Sequence, residues 1–548
     1  MNLRVWFTQY RTTFSYVGLV FATLFFAASL SPSLLPRNHI VQGLLSGIEL
    51  AVGYGVGWLF VGLWTYLELP VPSGRAKSSG QWLVTIFATV TAGISLWRAT
   101  VWQNSIRTLM EMEPLQSAYP LRVLLIAIIL GGLLVAATRF FWKSCSYIAR
   151  KNNRIFPRRI SNALGFVIAT ALVILLVNGV LAKSALSLAD TIFSRIDAQT
   201  DEGIEQPTSE LASGSETSLI PWHTIGRQGK DFIASGPTKE QLSKFSGEPA
   251  QQPLRVYVGL RSGETTQERA KLALKELIRV GGFSRSVLVV ATPTGTGWLD
   301  PGATDTLEYL HAGDTAIVSM QYSYLPSWIT ILVDPNKSRV AARALFEEVY
   351  QHWKKLPRSS RPKLYLHGLS LGSLGSETSA DLLNTFEDPI QGTLWSGPPF
   401  PSRVWSRLTR ARQPSSPAWL PVFRDGRVVR FMGQHTAIDT PNQPWSSMRC
   451  LYVQHASDPM VFFSPSLLYQ KPKWLDGERG PDVSPYLDWY PIITFLQIAC
   501  DLPMATSVPT GYGHNYAPAN YIEAWIAVTE PTGWSEEEVL RLKQAFAN

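Results

Sequence analysis

Cysteine is scarce in this chain, with three residues in 548, so a disulfide framework is excluded. Cys145 stands in a basic stretch; Cys450 and Cys500 lie in apolar surroundings, which leaves room for one bond but favours two buried free thiols. No histidine or cysteine spacing resembles a metal site, so no metal is expected. Gly295-Thr296-Gly297 lacks both the Lys-Ser/Thr of a phosphate-binding loop and the second half of a dinucleotide fingerprint, so no cofactor is expected either. Acidic residues are nearly missing from the first third. Residues 1–183 carry 4 Asp+Glu against 16 Lys+Arg, whereas the remainder carries 37 against 33. The net charge of +8 therefore belongs to the N-terminal part and does not argue for nucleic-acid binding. Internal repeats are absent as well.

What fills the first third is apolar. Five segments are long and apolar enough to cross a bilayer, which takes about 20 residues each: Ser15–Leu35, Leu44–Tyr66, Trp82–Gln103, Leu121–Phe141 and Ser161–Ala182. Trp and Tyr mark several of their ends, as interfacial residues do. Arg150, Lys151, Arg154, Arg158 and Arg159 share one side with Arg4, Arg11, Arg75 and Lys77, while the opposite loops offer Arg37 and Arg107, with Arg122 at a span boundary. The excess of positive charge predicts a cytoplasmic N-terminus. Five crossings would then leave everything after Lys183 outside. Glu49 and Arg98 fall within spans at similar depth, where they either pair across neighbouring helices or snorkel separately to the interface. Nothing here suggests an ion pathway.

Residues 184–253 read as a linker and docking segment. Its most polar part, Asp197–Ser218, has the composition of a flexible tether, and the aromatic residues of Trp222–Phe232 are expected to pack on the downstream domain. From Leu254 strands alternate with helices. Strands are expected at Arg255–Leu260, Ser286–Pro293, Thr315–Tyr322, Lys363–His367, Gly392–Trp395 and Met448–Gln454, and helices at Gln267–Val280 and Lys337–Lys355. This rhythm predicts a mostly parallel sheet with helices on both faces over residues 254–548. Residues 400–447, rich in Pro, Trp and Arg, interrupt it as either a lid or a long irregular insertion.

Within that region, Gly368-Leu369-Ser370-Leu371-Gly372 follows a short apolar strand and precedes a helical stretch. This is the pattern of a nucleophile elbow, in which a sharp strand-to-helix turn exposes a serine hydroxyl and glycines remove Cβ clashes. A serine nucleophile needs an acid and then a histidine later in the chain. Asp458, just past an apolar strand, is the better acid and Asp439 the runner-up. His514, in a glycine-flanked loop, is the only histidine after Asp458. An oxyanion hole would use the Leu371 N–H together with Thr294 or Gly295 from the loop after an earlier strand.

Taken together, Pro293–Trp298, His367–Gly372, Ser457–Pro459 and Gly513–His514 give a chain that resembles the bacterial membrane-anchored α/β-hydrolases, in which a multi-span region precedes a hydrolase domain. The resemblance covers nearly the whole chain. It implies serine-hydrolase chemistry on an ester or lipid substrate, without naming one. Leu369, rather than His, precedes the nucleophile, so lipase specificity is not implied. The same acyl-enzyme would serve an acyltransferase, and a catalytically silent, membrane-tethered binding module is the alternative of a different class. Membrane lipids are the expected surroundings, no nucleic acid is expected, and the oligomeric state is left open.

Overall fold

The computed structural model describes residues 15–71, 73–152, 157–174, 183–379, 388–434 and 443–547. It divides into two compact units. One comprises Met1–Leu186 with Ser464–Leu475 and Asp482–Met504; the other comprises Ser187–Phe463, Asp476–Pro481 and Ala505–Asn548. The chain thus leaves the second unit after Phe463 and returns to it for good only at Ala505.

The first unit is helical: α1 (Tyr16–Ser29), α2 (His39–Tyr66), α3 (Gly74–Leu109), α4 (Pro120–Asn152) and α5 (Arg158–Ile174). Among the described residues three of these, α2, α3 and α4, are long and apolar enough to cross a membrane, which corrects the expectation of five. The first apolar run fails for a local reason. Pro32 disfavours helical geometry in the residue before it, so α1 stops at Ser29 after 14 residues, about 21 Å of rise. Leu34 and Leu35 are still buried, but outside a helix. The fifth run is described only as far as Ile174, and residues 175–182 lie outside the described residues.

Glu49 and Arg98 do not pair. Arg98 lies over the Trp102 ring, and both Glu49 carboxylate oxygens are buried without a hydrogen-bond partner. The polar centre of this unit is instead Arg37. Its Nε donates to Asp501 at 2.9 Å and its backbone N–H donates to Gln103 at 2.8 Å. Asp501 ends a helix, Ile493–Asp501, that packs against α1 and α2. On that helix Gln497 donates to the Ser31 carbonyl at 3.0 Å. Ser105 and Ser484 hydroxyls meet at 2.7 Å.

The second unit is built on a seven-stranded, wholly parallel sheet in the order β1-β3-β2-β4-β5-β7-β6. The strands are β1 (Leu254–Val258), β2 (Val287–Thr292), β3 (Thr315–Met320), β4 (Lys363–Leu369), β5 (Gly392–Ser396), β6 (Val429–Met432) and β7 (Arg449–Val453). β1, β2, β3 and β5 are buried throughout, the mark of a sheet covered on both faces. β6 falls inside residues 400–447, so part of the expected lid or irregular insertion is an edge strand of the sheet.

The polar stretch read as a tether is pinned. Glu276, buried on the helix Thr266–Arg279, accepts from the Ser218 hydroxyl at 2.6 Å and the Leu219 N–H at 3.0 Å, and Gln321 donates to Asp197 at 2.9 Å. These buried acceptors outweigh the low hydrophobicity that predicted a coil. Further along, Arg255 on β1 sits over the Phe232 ring and is clamped by Glu308 and Asp305. Cys145, Cys450 and Cys500 are all free thiols, and burial pushes that of Cys450 up to about 11.

Candidate active site

β4 runs into α6, the helix Leu371–Ser379, through Ser370 alone, whose φ of +58° is left-handed backbone. For a non-glycine residue this is strained, and it is tolerated because the turn is over-determined. The Ser370 N–H donates to the Ser396 carbonyl at 3.0 Å. A Cβ on Gly368 would come within 2.4 Å of Gly372, and one on Gly372 within 2.1 Å of the Thr292 carbonyl. Both glycines are therefore steric necessities, and the end of β2 lies directly against the start of α6.

His514 and Asp458, 56 positions apart, meet: His514 Nδ1 and Asp458 Oδ2 are 2.6 Å apart, with Asp458 fully buried. Tyr516 donates to the same carboxylate oxygen at 2.7 Å, and the Met460 N–H donates to the other at 2.8 Å. Three donors thus fix the carboxylate. The His514 loop is held from below, where His455 Nδ1 meets the Gly513 carbonyl at 2.9 Å and its ring stacks on Tyr516. The Gly513 N–H donates to Ser457 at 2.9 Å. The His514 ring rests on Gly397, where a Cβ would come within 2.5 Å of it, and Gly397 follows the Ser396 that holds Ser370. Ser370 Oγ and His514 Nε2 are both buried without a hydrogen-bond partner, so both atoms are uncommitted.

The oxyanion donors need correction. Leu371 opens α6, so its N–H has no helical acceptor. The Thr294 N–H, however, donates to the Trp298 carbonyl at 2.9 Å and the Gly295 N–H to Ser327 at 3.0 Å. Both are spent on their own surroundings. Asp439 lies outside the described residues.

Sequence reasoning missed Tyr516, His455 and two buried acids. Burial pushes the Asp300 carboxyl up to about 6, against the Gly302 N–H and the nearby Tyr521 hydroxyl, and His514 lies close enough to act on it electrostatically. Burial likewise pushes Glu377 on α6 up to about 7. One Glu377 oxygen accepts from the Tyr452 hydroxyl at 2.8 Å and the Trp405 N–H at 3.0 Å. The Gly-His-Asn-Tyr spacing was the only available pointer to Tyr516. Among the described residues no cluster of three or more metal-ligating side chains occurs.

A parallel sheet with helices, a strained serine at a strand-to-helix turn, and a later Asp–His pair define an α/β-hydrolase fold. The chain belongs to the alpha/beta-hydrolase family, which matches residues 254–542. The N-terminal part of that family matches residues 30–237. A search of curated proteins returns no match, and neither does a search of solved structures. Membership supports a hydrolase-like activity, and the three long apolar helices support association with a membrane.

Proposed function

We propose that this chain is an integral membrane serine hydrolase that cleaves an ester through an acyl-enzyme on Ser370. The observation that carries the reading is the 2.6 Å contact of His514 with a three-donor Asp458, which leaves Nε2 as the free end of the imidazole. In this scheme Ser370 Oγ attacks the ester carbonyl while His514 Nε2 takes its proton, then returns it to the departing alcohol. Asp458 holds the ring in the tautomer with Nδ1 protonated and stabilises the imidazolium. The Leu371 N–H and the first turn of α6 face the developing oxyanion. Water then repeats the sequence on the acyl-enzyme and releases the acid.

The substrate proposed is lipidic or membrane-associated, since long apolar helices hold the chain at a bilayer. The catalytic half is proposed to lie outside the cytoplasm. Arg75, Lys77, Arg150 and Lys151 sit at one end of α2, α3 and α4, the cytoplasmic end by the charge rule. Arg37 and Ser105 sit at the other, and it is there that Asp501 and Ser484, from the stretch joining Asp458 to His514, make their bonds.

The test is fluorophosphonate labelling of the full-length protein. Labelling of the wild type that Ser370→Ala abolishes is expected, and labelling that survives Ser370→Ala overturns the assignment. An export-dependent reporter fused after Asn548 should be active. Activity only of a cytoplasmic reporter overturns the orientation.

A further inference from the structure

The first unit contains a cavity of about 520 Å³ far from Ser370 in sequence and chemistry, between the second half of α2 and the second half of α4. Its α4 wall carries Arg139, Lys143 and Arg150, at spacings of four and seven residues that bring them to one helix face. Its α2 wall carries Tyr54 and Trp58. We propose that this cavity binds the headgroup of an anionic phospholipid.

Four observations converge. First, no carboxylate lines the cavity, and residues 1–183 hold only Glu49, Glu68, Glu111 and Glu113, so its walls carry net positive charge. Second, the walls are pre-formed. Arg139 donates to the Tyr54 hydroxyl at 3.1 Å and lies over that ring, while Trp58 meets Trp142 with ring centres 5.1 Å apart and Trp142 stacks on Phe166. Third, the depth is right. Arg139 lies near the end of the apolar span Leu121–Phe141 and Lys143 and Arg150 lie beyond it on the same helix, beside tryptophans of the interfacial kind. Fourth, the rim is apolar and open, with Trp58 41% and Phe140 74% exposed.

Independent snorkelling explains cations that point into water, but not a concave site in which three of them share a face with aromatic walls. A free phosphate would satisfy the charges and leave the apolar rim idle. A phospholipid uses both, with its phosphate among the cations and its acyl chains along Phe140 and Trp58. By the charge rule this is the cytoplasmic leaflet, the side on which anionic lipids gather and basic pockets between helices capture them.

The test uses the full-length protein in detergent micelles with added dioleoylphosphatidylglycerol or dioleoylphosphatidylcholine, and native mass spectrometry to count retained lipid. The anionic lipid should be retained about tenfold over the zwitterionic one, and Lys143→Gln and Arg150→Gln should each lower its retention about fivefold, as expected for a cation at a charged surface. Arg139 is left intact because it braces Tyr54. A second variant leaves every charge in place: a side chain at Gly55, which lines the cavity and whose Cβ would meet nothing within 4 Å, fills the space. Gly55→Leu should lower retention of the anionic lipid at least as much as Lys143→Gln or Arg150→Gln. Equal retention of both lipids overturns the proposal, as does unchanged retention in Gly55→Leu. Displacement by millimolar inorganic phosphate would also overturn it, because the site would then be one for the free anion.

Discussion

Arg37 and Asp501 form an ion pair at 2.9 Å in which both side chains are wholly buried, although they stand 464 positions apart. Removing one partner strands the other charge, so Asp501→Leu or Arg37→Met should each destabilise the first unit by about 3–5 kcal/mol. The double replacement should recover most of that, because two apolar side chains leave no orphan. Thermal unfolding in detergent reads both. Equal destabilisation by the single and double variants would show that the pair is not the source.

Asp458→Asn leaves the shape of the pair but admits the wrong histidine tautomer, and turnover should fall by about 10⁴-fold. Tyr516→Phe removes one of three donors to Asp458 and should cost about 10–100-fold, mainly in kcat. Steady-state kinetics on a soluble ester distinguishes them. A Tyr516→Phe enzyme as impaired as Asp458→Asn would mean that the tyrosine does more than hold the carboxylate.

Gly372→Ala brings a Cβ within 2.1 Å of the Thr292 carbonyl, a backbone atom at the end of β2 that cannot step aside. The elbow should open by about 1 Å, with labelling of Ser370 reduced by about 10²-fold, since misplacement of that size is enough. A much weaker effect is expected at Gly433, where the nearest atom to an added Cβ is 3.9 Å away.

Glu377 gives a pH dependence of definite sign. Its folded-state value of about 7 lies above the unfolded value of about 4.3, so the native protein binds the extra proton between those limits. Its contribution to stability is complete below about pH 4 and is lost as pH rises through 7. Glu377→Gln keeps an oxygen for the Trp405 N–H and Tyr452 hydroxyl but has no charge to bury. It should therefore gain stability over the wild type by about 1–3 kcal/mol at pH 8 and flatten the slope of Tm between pH 4.5 and 8. A variant with the wild-type slope would assign the proton elsewhere.

The elbow was legible because its constraints are local: Gly368 and Gly372 answer to atoms within a few residues or on the adjacent strand. Asp458 and His514 were legible through order along the chain. Tyr516 was not, because its role depends on Asp458, 58 positions away. Nor was the pinning of Ser213–Leu219, where a tertiary partner, Glu276, overrides a composition that reads as coil. The apolar run ending at Leu35 misled because hydropathy counts residues and Pro32 counts as one among them, while geometry stops the helix three positions earlier. The helix Ile493–Asp501 reads like any buried helix of the sheet domain. Only Gln497 and Asp501, polar groups on an apolar stretch, hint that it belongs with the first unit.

That last membership sets an order of events at the ribosome. The first 186 residues of the first unit emerge early, whereas the stretch that supplies Asp501 is made some 300 residues later. At about 5–20 residues per second, Arg37 waits on the order of 20–90 s for its only ion-pair partner among the described residues. The helical unit is therefore finished by the same stretch of synthesis that brings His514 to Asp458. A chain that stops short of residue 501 lacks both His514 and the partner of Arg37, so a nascent or truncated product carries an unpaired buried cation in the helical unit.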